Sequence, residues 1–344
     1  MPRHERAVLT ATGWDTPLAH ELLDEALPEP GPGEVRLDVE ACGVCHRDLI
    51  DRSGRFPFQR VPIVPGHEAV GRVSALGAGA TTFRVGDRVA TMHRDACGVC
   101  TSCQRGETSL CEGAAHVFGI LADGGYASVL IAPESALYPA PADLPAPEAA
   151  VLHCTFGTAY RDLVTLGHLR AGERVLVTGA NGGVGSAGVQ IAARLGAEVV
   201  AVVRDARHGD WLRSLGAHEV VVDAAGDFGR GALGGSIDLA LEAVGEPTFA
   251  STLRTLRVGG RLTVVGNVTP ARVSLNLGFL ITRGLTVTGG SGATRRDMRE
   301  VVALHRTRAF SVPIDRVWPL ARADEAQRAT RAGGLAGRVV LVAG

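Results

Sequence analysis

The stretch LVTGANGGVG, Leu176–Gly185, decides the fold. An apolar run ends in a turn that carries Gly179, Gly182, Gly183, Val184 and Gly185, and GVGSAGVQIAARLGA (Gly183–Ala197) continues with helical character. Glycine permits the tight turn and lets the backbone approach a pyrophosphate, which then sits on the helix N-terminus. A glycine pattern alone also describes an ordinary turn. Here a strand precedes it and a helix follows, so it reads as a dinucleotide turn. The coenzyme's identity depends on the end of the next strand, EVVAVV (Glu198–Val203). An acid there would bond the adenosine ribose of NAD, whereas a base accommodates the extra phosphate of NADP. Arg204 follows directly and Arg207 lies close behind, which favours NADP(H). Asp205, one place further on, keeps NAD(H) possible, and both arginines would also suit plain solvated surface.

Outward from this turn, strands and helices alternate. Helical RHGDWLRSLGA (Arg207–Ala217) is followed by strand-like EVVVD and IDLALEAVG, then a helix near PTFASTLRTL, then GGRLTVVG and GLTVTGG. That alternation predicts an α/β fold with a doubly wound parallel sheet. The first 140 or so residues differ, with short strand-like runs such as EVRLDVEACG and EAVGRVSALG punctuated by glycine and proline. The Pro/Ala-rich YPAPADLPAPEAA (Tyr138–Ala150) reads as the boundary between the two textures. A helix in TRRDMREVVALHRTRA and a strand in GRVVLVAG close the chain.

The 344 residues suffice for two domains, and a balance of 46% hydrophobic to 21% charged residues suits a globular protein. A formal net charge of −1 gives no electrostatic case for nucleic acid or an anionic membrane. No apolar run approaches the roughly 18 residues that span a bilayer. The opening MPRHERAVLTATG lacks the apolar core of a signal peptide, so a cytoplasmic enzyme is the expectation. The chain contains no lysine, which excludes Schiff-base and P-loop lysine chemistry.

Seven cysteines, closely clustered, favour metal ligation over a disulfide framework. CGVCTSCQRGETSLC places Cys97, Cys100, Cys103 and Cys111 in one loop, 95–112. Four thiolates so spaced can close a tetrahedral, structural zinc site, with an iron–sulfur cluster or four free thiols as the rival readings. A second set is dispersed: Cys45 in CGVCHRDLID, His67 and Glu68 in GHEAVG, and Cys154 in HCTFGTAY. Two thiolates and an imidazole leave a fourth zinc position open, as catalytic sites do. Glu68 could join as an occasional ligand, and Asp48 could orient His67 through its other ring nitrogen. Cys42 reads as core.

Together GVCHRD, GHEAVGRVSALGAG, the four-cysteine loop, HCTFGTAY, VTGANGGVG and the closing GRVVLV resemble the zinc-containing medium-chain dehydrogenase/reductase superfamily over essentially the whole chain. The resemblance implies a GroES-like, mostly-β catalytic domain at 1–153, a Rossmann coenzyme domain at 154–288, and a return to the catalytic domain at 289–344. It implies a catalytic zinc at Cys45, His67 and Cys154, with Glu68 beside them, and suggests His46, Thr158 and Arg338 as coenzyme contacts. It also points to a homodimer or homotetramer, because GLTVTGG lies where that superfamily extends its sheet across a dimer.

In alcohol-dehydrogenase chemistry a hydroxyl two residues after the first cysteine ligand relays the proton, often with a histidine three residues further on. Arg47 and Ile50 stand there, a permanent cation without an acceptor and a side chain without an exchangeable proton. CHRDL, Leu241–Val268 and Leu277–Asp297 are also similar to NADPH-dependent acryloyl-CoA reductases of the same superfamily, which send hydride to a β-carbon. The first reading is therefore a zinc-dependent NADP(H) oxidoreductase of a small alcohol, aldehyde or ketone. The alternative is an ene reductase of an enoyl thioester, in which Arg47 could bind a phosphate or carboxylate or simply pair with an acid. A zinc protein that binds nucleotide without turnover is the minor reading. Phe56, Phe58, Phe118 and Phe156 are candidates for an apolar substrate cleft, or else core.

Overall fold

The structure is a computed structural model that describes residues 3–269, 271–307 and 310–343. It divides into two compact units, Met1–Cys154 with Ile314–Gly344, and Thr155–Pro313. No helix among the described residues is long and apolar enough to cross a membrane.

The first unit is built on a mostly antiparallel sheet of seven strands, six in a row and one branching from the central strand. Its central strand, Glu34–Val44, begins with alternating burial and ends with four consecutive buried residues. The change follows from its neighbours. Along its last residues the strand is flanked on one side by Glu68–Leu76 and on the other by the C-terminal strand Arg338–Val342. In register, Gly43 faces Glu68 on one side and Val340 on the other. Three segments far apart in sequence therefore deliver Cys45, Glu68 and Arg338 to one end of one strand. Val35, Leu37, Val73, Val89, Leu130, Val339 and Leu341 fill the core beneath it. Phe118 belongs to that core, fully buried, rather than to a cleft.

The second unit carries six parallel strands in the order 219–222, 198–203, 174–178, 237–242, 256–264 and 286–289. The order reverses at strand 174–178, the first of the six in sequence, which is the doubly wound dinucleotide topology. Strand Glu198–Val203 is buried along all but its first residue, as expected of a parallel strand covered on both faces. Helix Gly183–Arg194 packs closely on this sheet because its small residues allow it; a Cβ on Gly188 would stand 2.6 Å from Leu241 Cδ2. Phe156 is core here as well, stacked on Phe310 with ring centroids 3.9 Å apart.

The sequence placed the end of the coenzyme domain at 288, but the unit continues to Pro313. The reason is a buried polar knot that the helix Arg295–Thr307 brings back to its own unit. Asp297 accepts from Thr165 Oγ1 at 2.6 Å and pairs with the buried Arg161 at 3.2 Å. Glycine-rich GLTVTGG marks the end of the sheet and not the end of the unit.

Beside this knot Asp162 is fully buried, and neither carboxyl oxygen has a hydrogen-bond partner. A Cβ on Gly290 would lie 2.1 Å from its Oδ1. Burial lifts the carboxyl from 3.8 to about 7, with Arg161 pulling it down and Asp297 pushing it up. A group protonated more readily when folded contributes its full stability below about pH 4 and loses it as pH rises through about 7. Asp162→Asn removes that titration. Chemical denaturation of both proteins from about pH 4 to about pH 8 should show the wild type losing on the order of 2–4 kcal/mol relative to the variant. Parallel pH profiles would refute the assignment.

Candidate metal centre and coenzyme turn

Helix His46–Arg52 starts with Cys45 as its N-cap, which places a candidate ligand thiol at the mouth of a helix. Asp48 closes the capping box by accepting from the Cys45 backbone N–H at 2.8 Å. The same oxygen, Oδ2, accepts from the Tyr126 hydroxyl at 3.1 Å, while Oδ1 meets His67 Nδ1 at 3.0 Å. The acid therefore engages Nδ1 and leaves Nε2 as the ring nitrogen turned to the donor set, the one a cation would claim from its proton.

One donor atom from each of Cys45, His67, Glu68 and Cys154 lies within 4.8 Å of the others. The Cys45 and Cys154 sulfurs are 3.8 Å apart, too far for a disulfide. Two sulfurs bound at about 2.3 Å to one tetrahedral zinc stand about 3.8 Å apart, so the spacing suits that ion. Glu68 Oε1 accepts from Arg338 Nη2 at 2.8 Å, while Glu68 Oε2 is buried without a hydrogen-bond partner. Gly43 makes room for that orphaned oxygen; a Cβ there would stand 2.1 Å from it. The electrostatics agree. Burial and Arg47 oppose a charge on His67, yet Asp48 and Cys45 raise the imidazole to about 10. Hydrogen bonding from Cys154 and the Arg338 charge hold the Cys45 thiol well below its ordinary value against burial. A thiol that gives up its proton readily is in the form that would ligate a cation.

The four-cysteine loop gives a second set, with the sulfurs of Cys97, Cys100, Cys103 and Cys111 within 4.8 Å of one another. Backbone amides point at these sulfurs: Cys97 N–H donates to Cys111 at 3.2 Å and Cys100 N–H to Cys97 at 3.4 Å. The Cys103 and Glu112 amides bring Cys100 down to about 6. Burial and its three neighbours push Cys103 up to about 12, so one thiol keeps a proton that a divalent cation would displace.

Arg47 is engaged inside the unit. Its backbone N–H donates to Cys45 Sγ at 3.5 Å, its Nη2 pairs with Asp51 Oδ2 at 3.1 Å, and Nη2 also donates to the Phe118 carbonyl. Burial moves the Asp51 carboxyl up to about 7 despite Arg47, with Asp48 adding to the rise. Arg338, assigned to the coenzyme by resemblance, is buried and donates to Glu68 and, at 3.4 Å, to Cys154 Sγ. Phe56 and Phe58 pair with each other at 5.4 Å, Phe58 being exposed. Cys42 is buried core, as its place on the strand suggested.

In the second unit the turn has the expected geometry. Gly179 takes φ +56°, Gly182 caps helix Gly183–Arg194, and a Cβ on Gly185 would stand 2.2 Å from the Gly179 carbonyl oxygen. Only glycine fits at 185. The strand ends at Val203, so Arg204 is the first residue past it, exposed, while Arg207 bonds Asp205 at 2.9 Å. Thr158 is buried in this unit, and His46 opens the short helix of the other.

Sequence reasoning missed Glu242. This fully buried carboxylate takes four bonds on Oε1, from Thr178 Oγ1, Thr248 Oγ1 and the amides of Val244 and Gly245, at 2.7–2.9 Å. Thr252 donates to Oε2 at 2.6 Å. Thr178 in turn accepts from the Ala243 amide at 2.9 Å, which ties the residue before Gly179 to the neighbouring strand end. The signal was present in IDLALEAVG, a lone acid closing an apolar strand just before a glycine.

Two family descriptions match the chain: the alcohol dehydrogenase GroES-like domain over residues 31–142, and zinc-binding dehydrogenase over residues 183–306. The chain belongs to this family of zinc-containing medium-chain dehydrogenases/reductases and is an oxidoreductase of it. It is 31% identical to an acryloyl-coenzyme A reductase of Sulfurisphaera tokodaii, over 92% of this chain and 95% of that one. It is 33% identical to an alcohol dehydrogenase of Geobacillus stearothermophilus, over 91% and 93%. The solved structure of AibC superposes with a TM-score of 0.91 at 39% identity, covering 99% of this chain and 96% of that one.

Glu242→Ala strands several buried donors at once. It should cost about 3 kcal/mol or more in chemical denaturation. If the knot holds the turn in place, coenzyme titration should also weaken about tenfold, and Glu242→Gln should fall between the two proteins in both measurements. A variant as stable as the wild type would show that the knot carries no weight.

Proposed function

We propose that the chain is a zinc-dependent, NADP(H)-linked oxidoreductase that moves hydride between nicotinamide and the carbinol carbon of a small alcohol or the carbonyl carbon of the matching aldehyde or ketone. The assembled donor set Cys45, His67, Glu68 and Cys154 carries this reading. Bound zinc would supply a Lewis acid for a substrate oxygen, and bound NADPH the hydride. The chain's own residues do the rest. Asp48 fixes the tautomer of His67, and Arg338 restrains one oxygen of Glu68 while the other remains free to approach the ion. Cys97, Cys100, Cys103 and Cys111 would hold a second, structural zinc. Exposed Arg204 at the end of its strand supports NADP(H) over NAD(H).

A second reading has its own observation. Arg47 is fixed by Asp51 and the Phe118 carbonyl at the place where a relay hydroxyl would be needed, and it cannot pass a proton. Reduction of an activated C=C bond in an enoyl thioester needs no such relay, and one relative described above is named for that chemistry.

Metal analysis should return two zinc ions per chain, falling to one in Cys100→Ser. The full-length protein should oxidise NADPH in the presence of butanal or acetone, with activity falling at least about a hundredfold once zinc is stripped. Arg204→Gln should raise the KM for NADPH about tenfold more than that for NADH, as the loss of one charged contact to a phosphate would. Turnover of crotonyl-CoA alone, undiminished in the stripped protein, would hand the site to the second reading.

A further inference from the structure

We propose that His93 is a catalytic residue, which donates a hydrogen bond through Nδ1 to the carbonyl oxygen of an acceptor at the Cys45–His67 donor set. The proposal rests on the reading of that set as the reaction centre, and it holds for an aldehyde, a ketone or an enoyl thioester alike.

Three contacts place this side chain. Strand Arg88–Thr91 pairs with the strand that begins at Glu68, and its last residue fastens the two together. Thr91 Oγ1 donates to the His67 carbonyl at 2.9 Å and accepts from the Ala69 amide at 2.9 Å. Two residues further on, the His93 carbonyl accepts from the Phe118 amide at 3.2 Å, and the carbonyl of the same Phe118 accepts from Arg47 Nη2. The His93 ring packs against the His153 ring, with centroids 5.6 Å apart and planes tilted by 44°. His153 directly precedes Cys154. His93 is therefore framed by the segments that carry Arg47, His67 and Cys154.

One neighbour fixes the tautomer. Arg94 Nε donates to His93 Nε2 at 3.2 Å. A guanidinium has donors only, so Nε2 must offer its lone pair and the ring proton must stand on Nδ1. Burial first, and then the charges of His153, Arg94, Arg47 and His67, hold the imidazole well below its ordinary value, in keeping with a neutral ring. An antiparallel bridge to Val117 anchors the Arg94 backbone. Nδ1 itself has no hydrogen-bond partner among the described residues, and the side chain is half-buried, not sealed.

His93 thus presents a donor, and only a donor, beside the metal-ligand set. Its neighbour Arg47 is already engaged by Asp51 and the Phe118 carbonyl. A neutral imidazole N–H stabilises the negative charge that develops on a carbonyl oxygen as hydride arrives, and it keeps its own proton in doing so. Arg94 acts through His93 and is a positioning residue. It excludes the tautomer that would turn a lone pair towards the acceptor oxygen.

Nitrogen-15 NMR of the histidine-labelled, zinc-replete full chain reads the tautomer without turnover. The His93 signals, identified by their loss in His93→Phe, should show Nδ1 protonated and Nε2 bare. Butanamide, a carbonyl compound that takes no hydride, should move the Nδ1 signal in the presence of NADPH. Arg94→Met should give a mixture of the two tautomers. Whichever of butanal and crotonyl-CoA is reduced, His93→Phe should lower kcat at least about tenfold with KM little changed. His93→Gln, which restores a donor, should recover most of that loss. A ring proton on Nε2 in the wild type, an Nδ1 signal indifferent to butanamide, or equal losses in His93→Phe and His93→Gln would each overturn the proposal. If neither acceptor is reduced, the functional reading fails, and the NMR result still decides the role of His93.

Discussion

The first unit depends on one buried carboxylate. Asp48 is almost wholly removed from water and is bonded to the Cys45 amide, the His67 ring and the Tyr126 hydroxyl. Each bond fixes a different layer of structure. The amide starts a helix at the Cys45 thiol, and the ring bond turns Nε2 of His67 towards the other donors. The hydroxyl draws in Tyr126, whose own ionisation burial and Asp48 suppress. A lone buried charge would be costly, but three convergent donors turn that cost into a constraint on where Cys45 and His67 can be. Without Asp48 the thiol and the imidazole would be separate features of a loop and a strand.

Other buried acids are handled differently, and the differences sort them by role. Glu242 receives four donors on Oε1 and one on Oε2, and ties the strand end beside it to the glycine turn. Glu68 is satisfied on one oxygen and bare on the other, and burial lifts it to about 7 against the pull of Arg338. That half-satisfied state fits a ligand waiting for a cation, since an ion of charge +2 would reverse the cost of leaving Oε2 unpaired. Asp162 is bare on both oxygens, and no metal-ligating group accompanies it. Its burial is a liability of the fold that Gly290 accommodates, and nothing in the site draws on it.

What the sequence made legible was local. The dinucleotide turn is a run of glycines whose spacing is itself the structure, and the four-cysteine loop encloses its ligands within fifteen residues. The parallel sheet announced itself through apolar strands alternating with helices. The dispersed donor set needed the resemblance, because Cys45 and Cys154 are 109 positions apart. What stayed hidden was set by register and packing between remote segments. Arg338 reaches Glu68 across 270 positions because the last strand pairs beside Gly43, and no local pattern encodes that pairing. The unit boundary at Pro313 was missed for the same reason: Arg161 and Asp297 join across 136 positions.

The replacement at position 47 then acquires a physical meaning. A hydroxyl beside the donor set both stabilises charge on an acceptor oxygen and neutralises it by passing a proton. Arginine keeps the first ability, strengthens it, and abolishes the second. For carbonyl reduction this separates two tasks, so the proton must arrive by another route, such as His46 or solvent. For an enoyl thioester the proton is due at carbon, and stabilising the oxygen is sufficient. Asp51 and the Phe118 carbonyl hold that cation in place, so its charge stays beside the donor set whichever acceptor is bound. The retained donor set is consistent with both acceptors, because each of them presents a carbonyl oxygen to be polarised.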